Sequence, residues 1–309
     1  MKDKKIVFMG TPIFSVPVLE KLIENYNVIG VVTQPDKEVG RKRILTKSPV
    51  KILAEQNNIK VLQPIKLRNE YQDIIDLNPD MIVTCAYGQI LPKELLEYPK
   101  YKTINVHASL LPKYRGGAPI HHAIINGEKT TGITIMRTDV GMDDGDIITK
   151  REVEILDTDD YETLSNKLSI LGSDLLIETL PDIFNGKVTY QKQNNEEATF
   201  AYTIKRDDER LDFTKTTNEI YNKIRALSLT GSYAILDDEE IKIYSSFKGE
   251  KIGSIEGQII CIYKDGIGVA TSDGEIIITS IQVPGKKKML VKDYLNGINK
   301  DSLIGKIFK

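Results

Sequence analysis

The strongest chemical signal sits in mid-chain. Asn105 and His107 stand two apart in Thr103-Ile104-Asn105-Val106-His107, a β-branched run that predicts a short strand. Side chains two apart on a strand share a face, so the amide and the imidazole point together while Val106 points away. The run gives way to Ala108-Ser109-Leu110-Leu111-Pro112-Lys113-Tyr114-Arg115-Gly116-Gly117, where serine, proline and paired glycines are turn chemistry. Parallel α/β sheets bind their ligands at such strand ends. Amide and imidazolium N–H groups are donors of the kind that hold a developing oxyanion. The plainer reading of an Asn/His pair is a hydrogen-bonded strand end, and the pair alone leaves both readings open.

The elements that would position this pair can be followed along the chain. Ile6-Val7-Phe8-Met9 predicts a buried first strand that ends at Gly10-Thr11-Pro12, before a helix through Leu19, Leu22 and Ile23. That turn holds one glycine and not G-x-G-x-x-G, which weakens a dehydrogenase reading. A second strand, Val28 to Thr33, closes at Gln34-Pro35-Asp36. Helices at Val50–Gln56 and Glu70–Leu77 flank a short strand, Val61-Leu62, and precede an apolar central strand over residues 81–86. The loop after it, Tyr87 to Pro92, again lies at a strand's C-terminal end. Alternating strands and helices imply right-handed crossovers and a mostly parallel sheet. Further strands are expected at Gly132–Met136 and Ile147–Ile155. A long amphipathic helix follows from Thr158 to Phe184, its stripe of Leu164, Leu168, Leu171 and Leu175 serving as core packing.

Composition narrows the classes. The 309 residues carry 42 Lys plus Arg against 44 Asp plus Glu, a formal charge of −2, so any nucleic-acid binding must come from local patches. The two cysteines, Cys85 and Cys261, lie far apart among apolar neighbours and suggest burial, not a disulfide framework or zinc site. No apolar run reaches membrane-spanning length, and Met1 to Lys5 leads into a strand without a signal-peptide core. A cytoplasmic setting with no membrane partner is therefore expected.

Several stretches admit two readings. Residues 37–51 hold Lys37, Arg41, Lys42, Arg43, Lys47 and Lys51 against one acid, Glu38, with Gly40 and Pro49 suited to a mobile loop. This is a solvated surface loop or a phosphate-contacting arm. His121 and His122 are adjacent on an expected helix, unlike the i, i+4 spacing of a helical zinc pair, so they read as surface or packing residues. The acids of Asp139 to Asp146 lack the register of a calcium loop. Residues 190–207 read as a linker between domains. Beyond a helix near Asn218–Leu227 come short strands at 241–244, 257–260, 266–271 and 275–278, a spacing that predicts a small barrel. Lys286-Lys287-Lys288 follows, a soluble edge loop or a second nucleic-acid contact.

Together the motifs resemble the methionyl-tRNA formyltransferase family. They are Gly10-Thr11-Pro12-x-Phe14, Gln34-Pro35-Asp36, Ser48-Pro49-Val50-Lys51, Ala86-Tyr87-Gly88-x-Ile90-Leu91-Pro92, Asn105-Val106-His107-x-Ser109-Leu110-Leu111-Pro112 and Asp139-Val140-Gly141-Met142-Asp143-x-Gly145-Asp146. The resemblance implies a doubly wound catalytic domain over 1–189, a linker over 190–207 and a C-terminal OB-like barrel over 208–309. It implies Asn105, His107 and Asp143 as the catalytic trio. Ser109, Leu110, Leu111 and Pro112 would line a tetrahydrofolate site, with backbone from Ile90 and Leu91. Arg41, Lys42, Arg43 and Lys286, Lys287, Lys288 would contact tRNA. The implied reaction moves a formyl group from 10-formyltetrahydrofolate, a co-substrate, to the methionine amine of initiator methionyl-tRNA, with no metal and in a monomer. Two competing readings are an amino-sugar nucleotide as formyl acceptor and a non-catalytic RNA-binding protein. The basic stretches weigh against the first, and the Asn105/His107/Asp143 set against the second.

Overall fold

A computed structural model describes residues 2–40 and 42–309. The chain divides into two compact units. One runs up to Pro119 and adds Thr130–Glu154 and Ser165–Tyr202; the other comprises Ile120–Lys129, Ile155–Leu164 and Thr203–Lys309.

Among the described residues the first unit is built on a seven-stranded sheet. Its strands are β1 (Lys5–Gly10), β2 (Asn27–Val32), β5 (Val61–Leu62), β6 (Met81–Cys85), β7 (Thr103–His107), β8 (Thr130–Arg137) and β9 (Ile147–Glu154), in the spatial order β5-β2-β1-β6-β7-β8-β9. The five strands from β5 to β7 are parallel, and β8 and β9 extend them antiparallel. Ile6, Val7, Phe8 and Met9 are fully buried, as a parallel strand covered on both faces requires. The sheet is thus the mixed, mostly parallel one the sequence implies.

Two expectations for this unit are revised. Residues 37–51, expected as a mobile basic loop, include a separate antiparallel hairpin, β3 (Lys37–Val39) with β4 (Ile44–Thr46). The helix expected over 70–77 is confined to Gln72–Ile75. The motif Ser48-Pro49-Val50-Lys51 is explained by local physics. Ser48 Oγ caps the helix Pro49–Gln56 by accepting from the Lys51 N–H, proline fills the first turn where no donor is needed, and Val50 is buried. The Lys51 side chain turns back to Asp36 at 2.7 Å, both mostly buried, closing the base of the hairpin.

The second unit holds an all-antiparallel sheet of β10 (Ser232–Leu236), β11 (Glu239–Gly249), β14 (Glu275–Gln282), β13 (Ile267–Ala270) and β12 (Ile259–Ile262), with β15 (Met289–Leu290) paired to β14. The chain's last residues join the two edges. Ile235 of β10 and Lys309 exchange backbone hydrogen bonds of 2.8 Å, while the Phe308 N–H donates to Gly257 O and the Ile259 N–H to Lys306 O. The edges are thereby satisfied and the sheet closes as a barrel around Ile243, Ile259, Val269, Ile276 and Ile278. The helix Thr217–Ala226 packs on this core, started by a Thr216/Glu219 capping box.

The segment expected as a linker is divided between the units. Through Tyr202 it is stitched to the first, and from Thr203 it belongs to the second. Cys261, expected to be buried, is partly exposed, with Lys251 Nζ 2.8 Å from its sulfur. Cys85 is fully buried, and burial pushes its thiol up to about 12.

Candidate active site

The C-terminal ends of β1, β6 and β7 open at one end of the sheet, because the three strands are parallel. Thr84 on β6 pairs with Asn105 on β7, and its hydroxyl donates to Asn105 Oδ1 at 2.9 Å. That bond fixes the amide's orientation. The carbonyl end faces β6, and Nδ2 is left for Asp143 Oδ1, at a long 3.5 Å.

His107 is 5% exposed and lies on the same face two residues on. Its Nε2 is 3.0 Å from Tyr114 O. A carbonyl only accepts, so Nε2 carries the hydrogen and Nδ1 is the nitrogen that faces Asp143, 3.7 Å from Oδ2. Amide, imidazole and carboxylate therefore converge, although they lie up to 38 residues apart.

Asp143 is held by the backbone around it. Its φ of 49° lies in the left-handed region, which a non-glycine residue adopts only under constraint. Gln193 supplies that constraint, its Nε2 donating to Asp143 O at 2.7 Å and Gly145 O at 2.8 Å. Gln193 Oε1 accepts in turn from Arg115 Nε and Nη2, and Arg115, 5% exposed, also donates to Asn195 Oδ1. Asp143 Oδ2 accepts the Gly116 N–H at 2.8 Å. Gly116 has φ +120°, and a Cβ there would stand 2.7 Å from Ala201 O, so glycine is required for this approach.

The Ser-Leu-Leu-Pro loop is pinned from below. Thr134 Oγ1 on β8 donates to Ser109 O at 2.6 Å and accepts the Leu111 N–H at 3.1 Å, while Ser109 Oγ donates to Lys113 O. Leu111 is fully buried against Met136 and Ile147. Ser109 is likewise buried, Leu110 and Pro112 are half-buried, and the Leu111–Pro112 peptide is cis. On the loop after β6, Leu91 is buried and Ile90 is 82% exposed. Thr11 Oγ1 and Gln34 Nε2 both donate to Tyr87 O, tying that loop to the ends of β1 and β2.

The basic candidates fall on both units. On the hairpin, Lys42 and Arg43 are exposed; Arg41 lies outside the described residues. Lys47 and Lys51 are paired with Glu55 and Asp36 at 2.7 Å each, and the Lys51 contact holds the Asp36 carboxyl below its ordinary range. Lys286, Lys287 and Lys288 occupy an exposed turn of the barrel unit, with Lys288 Nζ 4.3 Å from the Tyr244 ring centroid. His121 is a packing residue, stacked on Tyr161 at 4.1 Å.

Three contributors escaped the sequence reading: Thr84, Arg115 and Gln193. Thr84 stands one strand from Asn105, and Gln193 sits in a polar stretch without periodicity. Two surface hollows of about 310 and 350 Å³ lie elsewhere on the first unit, against Arg151/Glu178 and Gln63/Glu70.

Comparison with known proteins now gives the class. Residues 4–180 match the formyl transferase family and residues 203–299 its C-terminal domain, so the chain belongs to the formyl transferases. Methionyl-tRNA formyltransferase of Bacillus cereus (strain B4264) is 51% identical over 302 residues, covering 95% of each chain. The chain's branch of that class is therefore the methionyl-tRNA formyltransferase family. The N-formyltransferase of Helicobacter canadensis, solved with folinic acid and dTDP-3-aminofucose, is 25% identical over 89% of this chain and 98% of its own, with a TM-score of 0.66. HypX of Aquifex aeolicus, in complex with tetrahydrofolic acid, shares the fold at 16% identity and a TM-score of 0.65; 94% of this chain covers 46% of that one, about half its length. Among the described residues, no helix is long and apolar enough to cross a membrane, and no group of three or more metal-ligating side chains is assembled.

Proposed function

We propose that this protein transfers the formyl group of 10-formyltetrahydrofolate to the α-amine of methionine on initiator methionyl-tRNA. The observation that carries the reading is the convergence of Asn105 Nδ2, His107 Nδ1 and the Asp143 carboxylate at the end of the sheet, within a chain 51% identical to a methionyl-tRNA formyltransferase.

In the proposed reaction the neutral amine attacks the formyl carbon. The new C–N bond forms first; the C–N10 bond then breaks as the carbonyl re-forms, and the amine's proton passes to folate N10. The carbonyl oxygen becomes an oxyanion between these events. Asn105 donates to it from Nδ2, and His107 in its imidazolium form donates from Nδ1. One donor of this kind contributes roughly 3–4 kcal/mol to the rate. Asp143 orients the imidazole, balances its charge and relays the amine's proton through water. Ser109 to Pro112 and the backbone of Ile90 and Leu91 hold the folate. No step requires a metal.

The tRNA is held by charge. Lys42 and Arg43 contact phosphates from the hairpin, Arg41 beside them in sequence does the same, and Lys286 to Lys288 contact them from the barrel unit. Contacts of that kind position the nucleic acid without reading its sequence, and they weaken as salt rises. The protein acts as a monomer in the cytoplasm.

The test is formylation by the purified protein with 10-formyltetrahydrofolate, offered charged initiator tRNA or a dTDP-linked amino sugar. Formylmethionyl-tRNA as the product is the expected result. Turnover of the sugar alone would replace this reading with the competing one.

A further inference from the structure

Residues 199–201 run beside the Pro112–Ala118 segment as a short parallel strap. The Arg115 N–H donates to Thr199 O at 2.9 Å, the Ala201 N–H to Arg115 O at 2.7 Å and the Ala118 N–H to Ala201 O at 3.0 Å. Strand alternation then sorts the side chains. Ala201 is fully buried, whereas Phe200 and Tyr202 project together, 48% and 60% exposed. Their rings lie 8° from parallel with centroids 5.8 Å apart.

The place of this pair is informative. Phe200 bridges to Arg115, which stands between Tyr114, whose carbonyl takes His107 Nε2, and Gly116, whose N–H holds Asp143. Two near-parallel aromatic rings, each about half exposed, thus lie one strand spacing from the segment that fixes the convergent trio. Large aromatic surface gains from being covered by another π-face.

We propose that Phe200 and Tyr202 form a stacking platform for the unpaired bases at the 3′ end of the aminoacyl-tRNA, holding the esterified amino acid over Asn105, His107 and Asp143. The inference rests on the function proposed above and adds the place where the substrate's end is held. The amine is tethered through its ester to the last ribose. When it reaches the formyl carbon beside His107, the terminal base must lie within about one nucleotide of the trio. Aromatic stacking suits that base because it needs no sequence code and relies on side chains exposed along a strand. A folate ring is better served by the strand ends themselves, where the Ser109–Pro112 and Tyr87–Pro92 loops stand.

The test uses the full-length protein and methionyl-tRNA whose 3′-terminal adenosine is replaced by 2-aminopurine riboside, a fluorophore quenched by stacking. Binding to the unaltered protein should quench the probe. The double variant Phe200→Leu/Tyr202→Leu should lose the quench and raise the KM for methionyl-tRNA roughly five- to a hundredfold, the weight of one base stack. Its kcat and its KM for 10-formyltetrahydrofolate should be unchanged. Phe200→Tyr/Tyr202→Phe, which keeps both rings, should behave as the unaltered protein does. Retained quenching in the leucine variant would overturn the platform, as would a change in the folate KM alone. Failure of the unaltered protein to formylate methionyl-tRNA is a separate result, and it would remove the underlying function itself.

Discussion

Gln193 offers a way to disturb the carboxylate without touching any of the three convergent side chains. Its Nε2 makes two bonds to the backbone of the 143–145 turn, and its Oε1 takes two from the buried Arg115. Each bond to a carbonyl is worth about 1 kcal/mol net. Releasing both removes about 2 kcal/mol of restraint from a residue whose left-handed φ costs about 1 kcal/mol. In Gln193→Ala the held form of the turn should therefore go from favoured by about 1 kcal/mol to disfavoured by about 1 kcal/mol, a roughly fivefold fall in its population, with kcat falling in step. Arg115 would keep Asn195 but lose its other acceptor, so thermal stability should drop by about 2–3 kcal/mol as well. Gln193→Glu separates the two effects. It keeps a partner for Arg115 but sets a carboxylate oxygen against two carbonyl oxygens, so stability should survive while turnover falls as in the alanine variant. The assay is steady-state formylation of methionyl-tRNA beside thermal unfolding of each variant. Unchanged kcat in both variants, whatever the change in melting, would refute the positioning argument and leave Gln193 a structural residue.

Two further outcomes follow from the barrel unit. Burial, reinforced by His122, pushes the His121 imidazole down to about 4 from its ordinary 6.5. The folded protein keeps this ring neutral while the unfolded chain protonates it, so stability is complete above pH 6.5 and lost as pH falls toward 4, by at most roughly 3 kcal/mol. His121→Phe keeps the stack on Tyr161 and should flatten that decline in urea titrations; an unaltered slope would contradict the assignment. Phe308 is 4% exposed and packs on Phe213 at 5.7 Å. Phe308→Ala should destabilise this unit by roughly 3–5 kcal/mol, and an unmoved unfolding midpoint would exclude the closing role of the C-terminal residues.

Much of the site was legible because it obeys short periods. The strand Thr103–His107 has the bounds that its β-branched run predicts, and its period of two places Asn105 and His107 on one face. Asp143 was legible only through a resemblance of motif, since no local rule brings a residue from 36 positions further along the chain to the end of another strand. The hairpin at 37–46 was read as a loop because its strands are three residues each, too short to show alternation. Gln193 was hidden for a related reason: a carboxamide in a polar stretch carries no pattern, and its role comes from tertiary hydrogen bonds to backbone. The closing of the barrel was equally silent, because the segment that joins its edges is held by backbone groups that any sequence supplies.

The most direct test of the central claim is single-turnover formyl transfer by His107→Ala, with 10-formyltetrahydrofolate and methionyl-tRNA both saturating. With folate binding and thermal stability retained, the rate should fall by roughly a hundred- to a thousandfold, the effect of removing one oxyanion donor. A rate close to that of the unaltered protein would mean that the imidazole at the end of β7 does not hold the developing charge, and the proposed chemistry would fail with it.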